Sequence, residues 1–402
     1  MVYLIVIILL VYCMFHYDFY GKTLHKKLLY NTILIMLILI AGLRYRLGID
    51  TQSYMAFFDL SVDGLGSISN IDFSTGKYDP CFVIFCSIVK TFFNAFWVVQ
   101  LIQATILNTL IFKYIIRHTQ YIFTAVLFYF ILFYLQYNME IMRAAWAIII
   151  CLYAFDYARN KKWLKCYALI IIASFFHFSA IIMLFIPLFL KIKFNKTTMT
   201  VLIFVAVFGI VFQQYFYNIV ALLTYSNRLS SKFDSYSDSI YFTQMFNING
   251  VISLLIQYVI VPFISINYLK SIHSKVVDRL ESMVFFCSFF SVLSIPVAIM
   301  YRHAQFFYFP IYIVMAEALN CYIQRSTRQV AINKIFLFLF VTTYLVFPVF
   351  LSFNHKDIDG QHSTMSRYYP YSSIIEKSKN EDRESIYRVR ADYYIDDSYY
   401  KK

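Results

Sequence analysis

The sequence predicts an all-α polytopic membrane protein, a helical bundle of about 10–12 transmembrane segments. Three observations carry that prediction. The chain is 60% hydrophobic and only 14% charged, where soluble domains carry about 25% charged residues. Apolar runs that reach or approach the ~18 residues of a membrane span recur along its length. Lysines and arginines gather in short loops between those runs, as they do on the cytoplasmic side of membrane proteins.

The elements follow in order. Met1 is succeeded at once by "VYLIVIILLVYCMF", with no basic n-region and no small-residue cleavage site. Residues 2–20 therefore read as a retained first span and not as a signal peptide. Further spans are expected near 28–43, 96–117, 120–138, 141–158, 197–217, 249–269, 281–300, 304–323 and 335–352. Residues 80–94, "PCFVIFCSIVKTFFN", are too short to cross upright and carry Lys90 in their middle, which suits a helix lying at the interface. Residues 164–191 would make a helix about 42 Å long, with basic residues at both ends. Two readings stay open for them: a helix that breaks near "FFHFSA" and returns, or one tilted span. Residues 1–353 form the expected transmembrane domain, and 354–402 a polar, Tyr-rich tail whose tyrosines allow docking onto it.

Loop charge assigns the sides. Lys22, Lys26 and Lys27 place the first loop inside, and 44–79, with five aspartates, falls outside. Lys113 and Arg117, then Arg159, Lys161, Lys162 and Lys165, are inside. With the broken helix accepted, 218–248 and Arg302 lie outside, as does the tail.

A net charge of +13 would suggest nucleic acid in a soluble protein, but no basic helix or aromatic RNA-binding signature accompanies it. Positive inner loops account for it, and no nucleic-acid partner is expected. The seven cysteines are scattered without a CxxC; they read as small hydrophobes, with neither a disulfide framework nor a metal site.

Against this background several ionisable residues fall at one outer level. Arg44, Arg46 and Asp50 lie in "GLRYRLGIDTQSY", and Glu140 and Arg143 in "YNMEIMRAAWAI". His177 lies in "SFFHFSA", and Arg302 with His303 in "IMYRHAQFFYF". Charges at membrane depth are costly, so their clustering suggests a shared polar site. Arginine forks suit a phosphate or pyrophosphate, whereas no Walker A or dinucleotide motif indicates a nucleotide. Blander roles stand beside these: a snorkelling anchor for Arg44 or Arg46, a packed histidine for His177, a solvated loop for Asp50. Glu140 is expected to pair with Arg143 at i,i+3. Asp156, near the inner end, reads as structural, and Glu317 as half of an interhelical pair.

Four pieces together resemble the EpsG family of polysaccharide-polymerising membrane proteins, relatives of the Wzy O-antigen polymerases. "GLRYRLGIDTQSY" is similar to the family's R-Y-x-x-G-x-D-x-x-x-Y stretch. The segment from Tyr137 to the "FFHFSA" piece is similar to its M-R-Q-x-x-A helix followed by F-H-x-S-A. "YRHAQFFYFPIYIVMAEAL" is similar to its Arg-bearing turn, and "YYPYSSII" to its Pro-Tyr segment. The likeness spans roughly residues 30–375. Ala144 departs from the usual Gln, and Arg46 stands where Gly is more usual.

The resemblance implies a membrane glycosyltransferase-like bundle in a bacterial cytoplasmic membrane. It would join oligosaccharide repeat units carried on undecaprenyl pyrophosphate, at the outer face, without metal or other cofactor. Its product would be an O-antigen, capsule or exopolysaccharide. Arg143 and Arg302, assisted by Arg44, would hold the pyrophosphate. His177 is the first candidate base and Asp50 the second. Arg46, Tyr54, Glu140 and His303 would support, with aromatic residues of 218–248 as a sugar-stacking surface. Expected partners are the lipid-linked substrate, membrane lipid, a flippase and a chain-length regulator. The alternatives are a transporter or flippase of the same lipid-linked unit, which would want repeat symmetry, or a non-catalytic member of an assembly complex.

Overall fold

The structure is a computed structural model and describes residues 2–66, 78–211, 248–297, 300–325, 340–341, 346–354, 356, 362–376 and 383. The stacking surface expected in 218–248 and most of the last part of the tail lie outside those residues. Among the described residues the protein is helical, with no strand beyond two isolated antiparallel bridges, Arg44 with Ser373 and Lys356 with Ser363. Four helices among the described residues are long and apolar enough to cross a membrane: Val2–Phe19, Phe96–His118, Gly250–Ser271 and Met300–Gln324. Shorter apolar helices accompany them. This is the all-α, multi-pass membrane architecture that the composition predicts.

The chain divides into two compact units, Met1–Ile181 with Tyr344–Lys402, and Ile182–Thr343. The first holds α1 (Val2–Phe19), α2 (Lys26–Gly42), α3 (Ile49–Leu60), α4 (Pro80–Phe93), α5 (Phe96–His118), α6 (Ile122–Tyr134), α7 (Met142–Arg159) and α8 (Trp163–Phe176). α2 lies hard against α5: a Cβ at Gly42 would come within 2.9 Å of the Leu101 backbone, so only glycine permits that approach.

Polar contacts sort to the two ends of this unit. At one end Asp18 accepts from the Thr124 amide at 2.8 Å and lies 3.8 Å from Lys26. Asp156 takes Arg117 at 3.0 Å and His118 at 3.1 Å, the structural role expected of it. This is the end that the loop charges assign to the inside. The other end carries Arg44, Glu140, Arg143 and His177.

Between α6 and α7 the chain makes a π-helical turn, Gln136–Glu140, and breaks at Ile141 (φ −86°, ψ 49°). The carbonyls that such a turn releases need other donors. Asn138 supplies one, giving Nδ2 to the Tyr134 carbonyl at 2.8 Å, and it closes a buried ring with Asn108 and the Tyr129 hydroxyl.

The 164–191 run does break in its middle. α8 stops at Phe176, His177 is extended (φ −157°, ψ 116°), and a 3-10 stretch follows over Phe178–Phe185. The second unit contains α9 (Lys196–Val211), α10 (Gly250–Ser271), α11 (Lys275–Leu293) and α12 (Met300–Gln324). Its core is aromatic, with Phe189 4.0 Å from Phe286 and 5.8 Å from Phe307, ring to ring. Ser274 caps α11 by accepting from the Val276 amide.

Candidate functional site

The first candidate stretch, Arg44 to Tyr54, folds as a tight turn between α2 and α3. Gly48 has φ +88°, and a Cβ there would fall on the Met139 carbonyl. Both facts demand glycine at this place in the motif. Arg46 has φ 50°, a left-handed conformation that costs a side-chain-bearing residue about 1–2 kcal/mol. A glycine, as the resemblance leads one to expect there, would adopt that conformation without the cost.

Arg44 is 1% exposed. Its guanidinium donates to the Ala41 carbonyl and to Thr51 Oγ1 at 3.3 Å, with Met142 Sδ at 3.5 Å. Burial pulls its pKa down to about 10, so it remains charged at neutral pH. It braces the turn from inside. The tail covers it: Tyr45 donates to Ser372, Ile374 to Leu43 and Gly48 to Arg367 through backbone amides at 2.9–3.0 Å. Tyr3 and Tyr371 add hydroxyl bonds to the carbonyls of Tyr368 and Ile40.

Glu140 does not pair with Arg143. The break at Ile141 removes the helical i,i+3 relationship between them. Its carboxylate, 7% exposed, accepts from the amides of Ile49 and Asp50, each at 3.1 Å. These are two of the four amides that a helix start leaves without an internal partner, and negative charge suits that end of the helix dipole. At the other end of α3, Lys90 donates to the Phe58 carbonyl at 2.9 Å. Asp50 itself is exposed.

Arg143, at the start of α7, pairs with Asp79 at 2.7 Å. Asp79 precedes Pro80 at the start of α4, the place for an N-cap, yet its side chain makes no capping bond. It is committed to Arg143 instead. The same oxygen, Oδ2, lies 3.8 Å from His177 Nδ1, too far for a hydrogen bond. All three side chains are partly exposed, at 22%, 21% and 17%. Stacking of Trp146 on Phe176, at 5.2 Å, holds the end of α8 against α7 and so places His177. Tyr78 and Tyr54 flank the guanidinium at 4.7 and 5.9 Å from their ring centres. Burial pushes the Tyr54 phenol up to about 12, so it stays a donor. Among the described residues, Arg143 Nε and the Trp146 indole nitrogen have no protein acceptor.

The structure thus brings together Arg143, His177 and Tyr54, and adds Asp79, which sequence reasoning missed. An aspartate before a proline signals a helix start, and nothing local marks it as an arginine's partner. Arg302 and His303 belong to the second unit; both are half-buried at the start of α12, the His303 ring 5.8 Å from that of Phe290.

The EpsG family profile matches residues 27–373. The chain belongs to the EpsG family. EpsG is a Wzy-like polymerase family, and membership gives the protein a polysaccharide-polymerase-like role and a glycosyltransferase-like activity in general. No curated protein and no solved structure matches the chain. The matched range includes the Gly48 turn, the Arg143–Asp79–His177 group and the tail residues that pair with Tyr45 and Gly48, so the EpsG match takes in the group and much of its support.

Proposed function

We propose that this EpsG protein joins oligosaccharide repeat units carried on undecaprenyl pyrophosphate, at the outer face of a bacterial cytoplasmic membrane. The observation that carries this reading is Arg143, a cation held at the mouth of a membrane bundle beside an imidazole, with no acceptor for its Nε–H among the described residues. A guanidinium there matches the charge that develops when a pyrophosphate departs. The acceptor's hydroxyl oxygen attacks the donor's anomeric carbon, and the bond from that carbon to the pyrophosphate oxygen breaks. The electron pair leaves with the lipid pyrophosphate, and His177 takes the hydroxyl proton through Nε2. Arginine stabilisation of so good a leaving group needs no metal.

His177 ranks ahead of Asp50 as base because Asp50 is exposed and sits in the first turn of α3, where its charge favours the helix end. Arg44 supports the site by bracing the α2–α3 turn. Arg302 is a candidate of its own on the second unit.

The test uses cells lacking the gene, complemented with wild type or Arg143→Ala at equal membrane abundance. Polymer length is measured with the leaflet of the lipid-linked units. Wild type alone should restore long chains, while the variant accumulates single units in the outer leaflet. Units trapped in the inner leaflet would mean a flippase, and full activity of the variant a non-catalytic component.

A further inference from the structure

We infer that Asp79 is a switchable positioning residue: a pyrophosphate that takes Arg143 releases Asp79 to His177. The inference rests on the pyrophosphate reading of Arg143. One carboxylate oxygen faces both groups, at 2.7 Å from the Arg143 nitrogen and 3.8 Å from His177 Nδ1. In this arrangement the guanidinium holds the carboxylate and the imidazole has no hydrogen bond to it. His177 Nδ1 has no partner among the described residues, so nothing fixes which ring nitrogen carries the proton. A base acting through Nε2 needs its proton on Nδ1, and a carboxylate at Nδ1 is the usual device that puts it there.

A pyrophosphate offers Arg143 more oxygens and more charge than one aspartate does. Once the guanidinium turns to it, Asp79 Oδ2 is left facing the imidazole, whose Nδ1 at 3.8 Å is about 0.6 Å beyond hydrogen-bond range. Movement of one side chain closes that gap, because the backbone on both sides is fixed. Pro80 opens α4 behind Asp79, and His177 donates its amide to Ala173 at 2.9 Å. Donor binding would then prepare the base for the acceptor.

The test uses full-length protein in detergent micelles with 15N-labelled histidine, the His177 signals assigned by loss in His177→Gln. Inorganic pyrophosphate is the probe, its binding followed by calorimetry on the same samples. In wild type, pyrophosphate should bring up a slowly exchanging, downfield Nδ1–H resonance from His177. Asp79→Asn should bind pyrophosphate and lack that resonance. Arg143→Gln should show it without pyrophosphate, because Asp79 is then already free. If pyrophosphate binds wild type and the resonance fails to appear, or appears equally in Asp79→Asn, the switch is overturned while the pyrophosphate site stands. If pyrophosphate does not bind wild type, the pyrophosphate reading of Arg143 is overturned, and the trigger with it.

Discussion

The carboxylate of Glu140 caps the amide of Ile49 at 3.1 Å, joining the turn before α7 to the first residue of α3. That one contact, doubled by the Asp50 amide, fixes the helix that brings Tyr54 to Arg143. Glu140→Ala would take this acceptor from one buried amide, that of Ile49, and one half-buried amide, that of Asp50. Bonds to a charged group contribute about 1.5–3 kcal/mol each, so a loss of about 3 kcal/mol is expected in thermal unfolding of the purified protein. Glu140→Gln keeps one good acceptor and should lose about half as much.

Gly48→Ala should be the more damaging change although it adds a single methyl group. The residue sits at φ +88° and its new Cβ would meet the Met139 carbonyl. A left-handed conformation costs a non-glycine residue about 1–3 kcal/mol before any collision. The same turn carries the Gly48 amide bond to Arg367, so displacement here also loosens the tail. Reduced yield in membranes at 37 °C, with partial recovery at lower growth temperature, is the expected result.

Particular residues show what the sequence could and could not reveal. Apolar run length and loop charge predict α1, α2, α5 and the break at His177, because bilayer thickness and the cost of unpaired backbone act locally. Arg143 and His177 were visible because charge at membrane depth is rare. The Glu140–Arg143 pair failed because helix spacing was assumed across Ile141, where a π-helical turn ends and the chain kinks. Asp79 was invisible for a different reason. Its partner lies 64 residues away, and its local setting looks like an ordinary helix start. Contacts between distant segments are fixed by packing, which one sequence does not display.

Asp156 provides the contrast for the candidate site. It too is an aspartate between an arginine and a histidine, at 3.0 and 3.1 Å. Its histidine, however, is buried, and the group lies at the end assigned to the inside. Asp156→Asn should therefore cost stability, about 1–2 kcal/mol given that Arg117 is half exposed, and leave polymerisation per folded molecule unchanged. Asp79→Asn should do the reverse, keeping the melting temperature within a few degrees and abolishing long polymer. Equal behaviour of the two variants would mean that both clusters are structural.

The tail should act as a strap that includes Arg383. Residues 362–376 contribute the amide and carbonyl partners of Leu43, Tyr45 and Gly48, and Tyr371 bonds to the Ile40 carbonyl. Arg383, 1% exposed, ties the strap to itself through the carbonyls of Ser366 and Pro370 at 3.1 and 2.9 Å. A chain ending at residue 361 loses all of these and uncovers the buried charge of Arg44. Five hydrogen bonds between strap and bundle, at roughly 1 kcal/mol each, put the loss at about 5 kcal/mol. A chain ending just after Arg383 keeps them and should melt well above the chain ending at residue 361. Measuring melting temperature and polymer length on both truncations separates the two cases. Should the shorter chain polymerise normally, the strap would have no part in holding the α2–α3 turn, and the support of α3 would fall to contacts within the bundle such as those of Glu140 and Lys90.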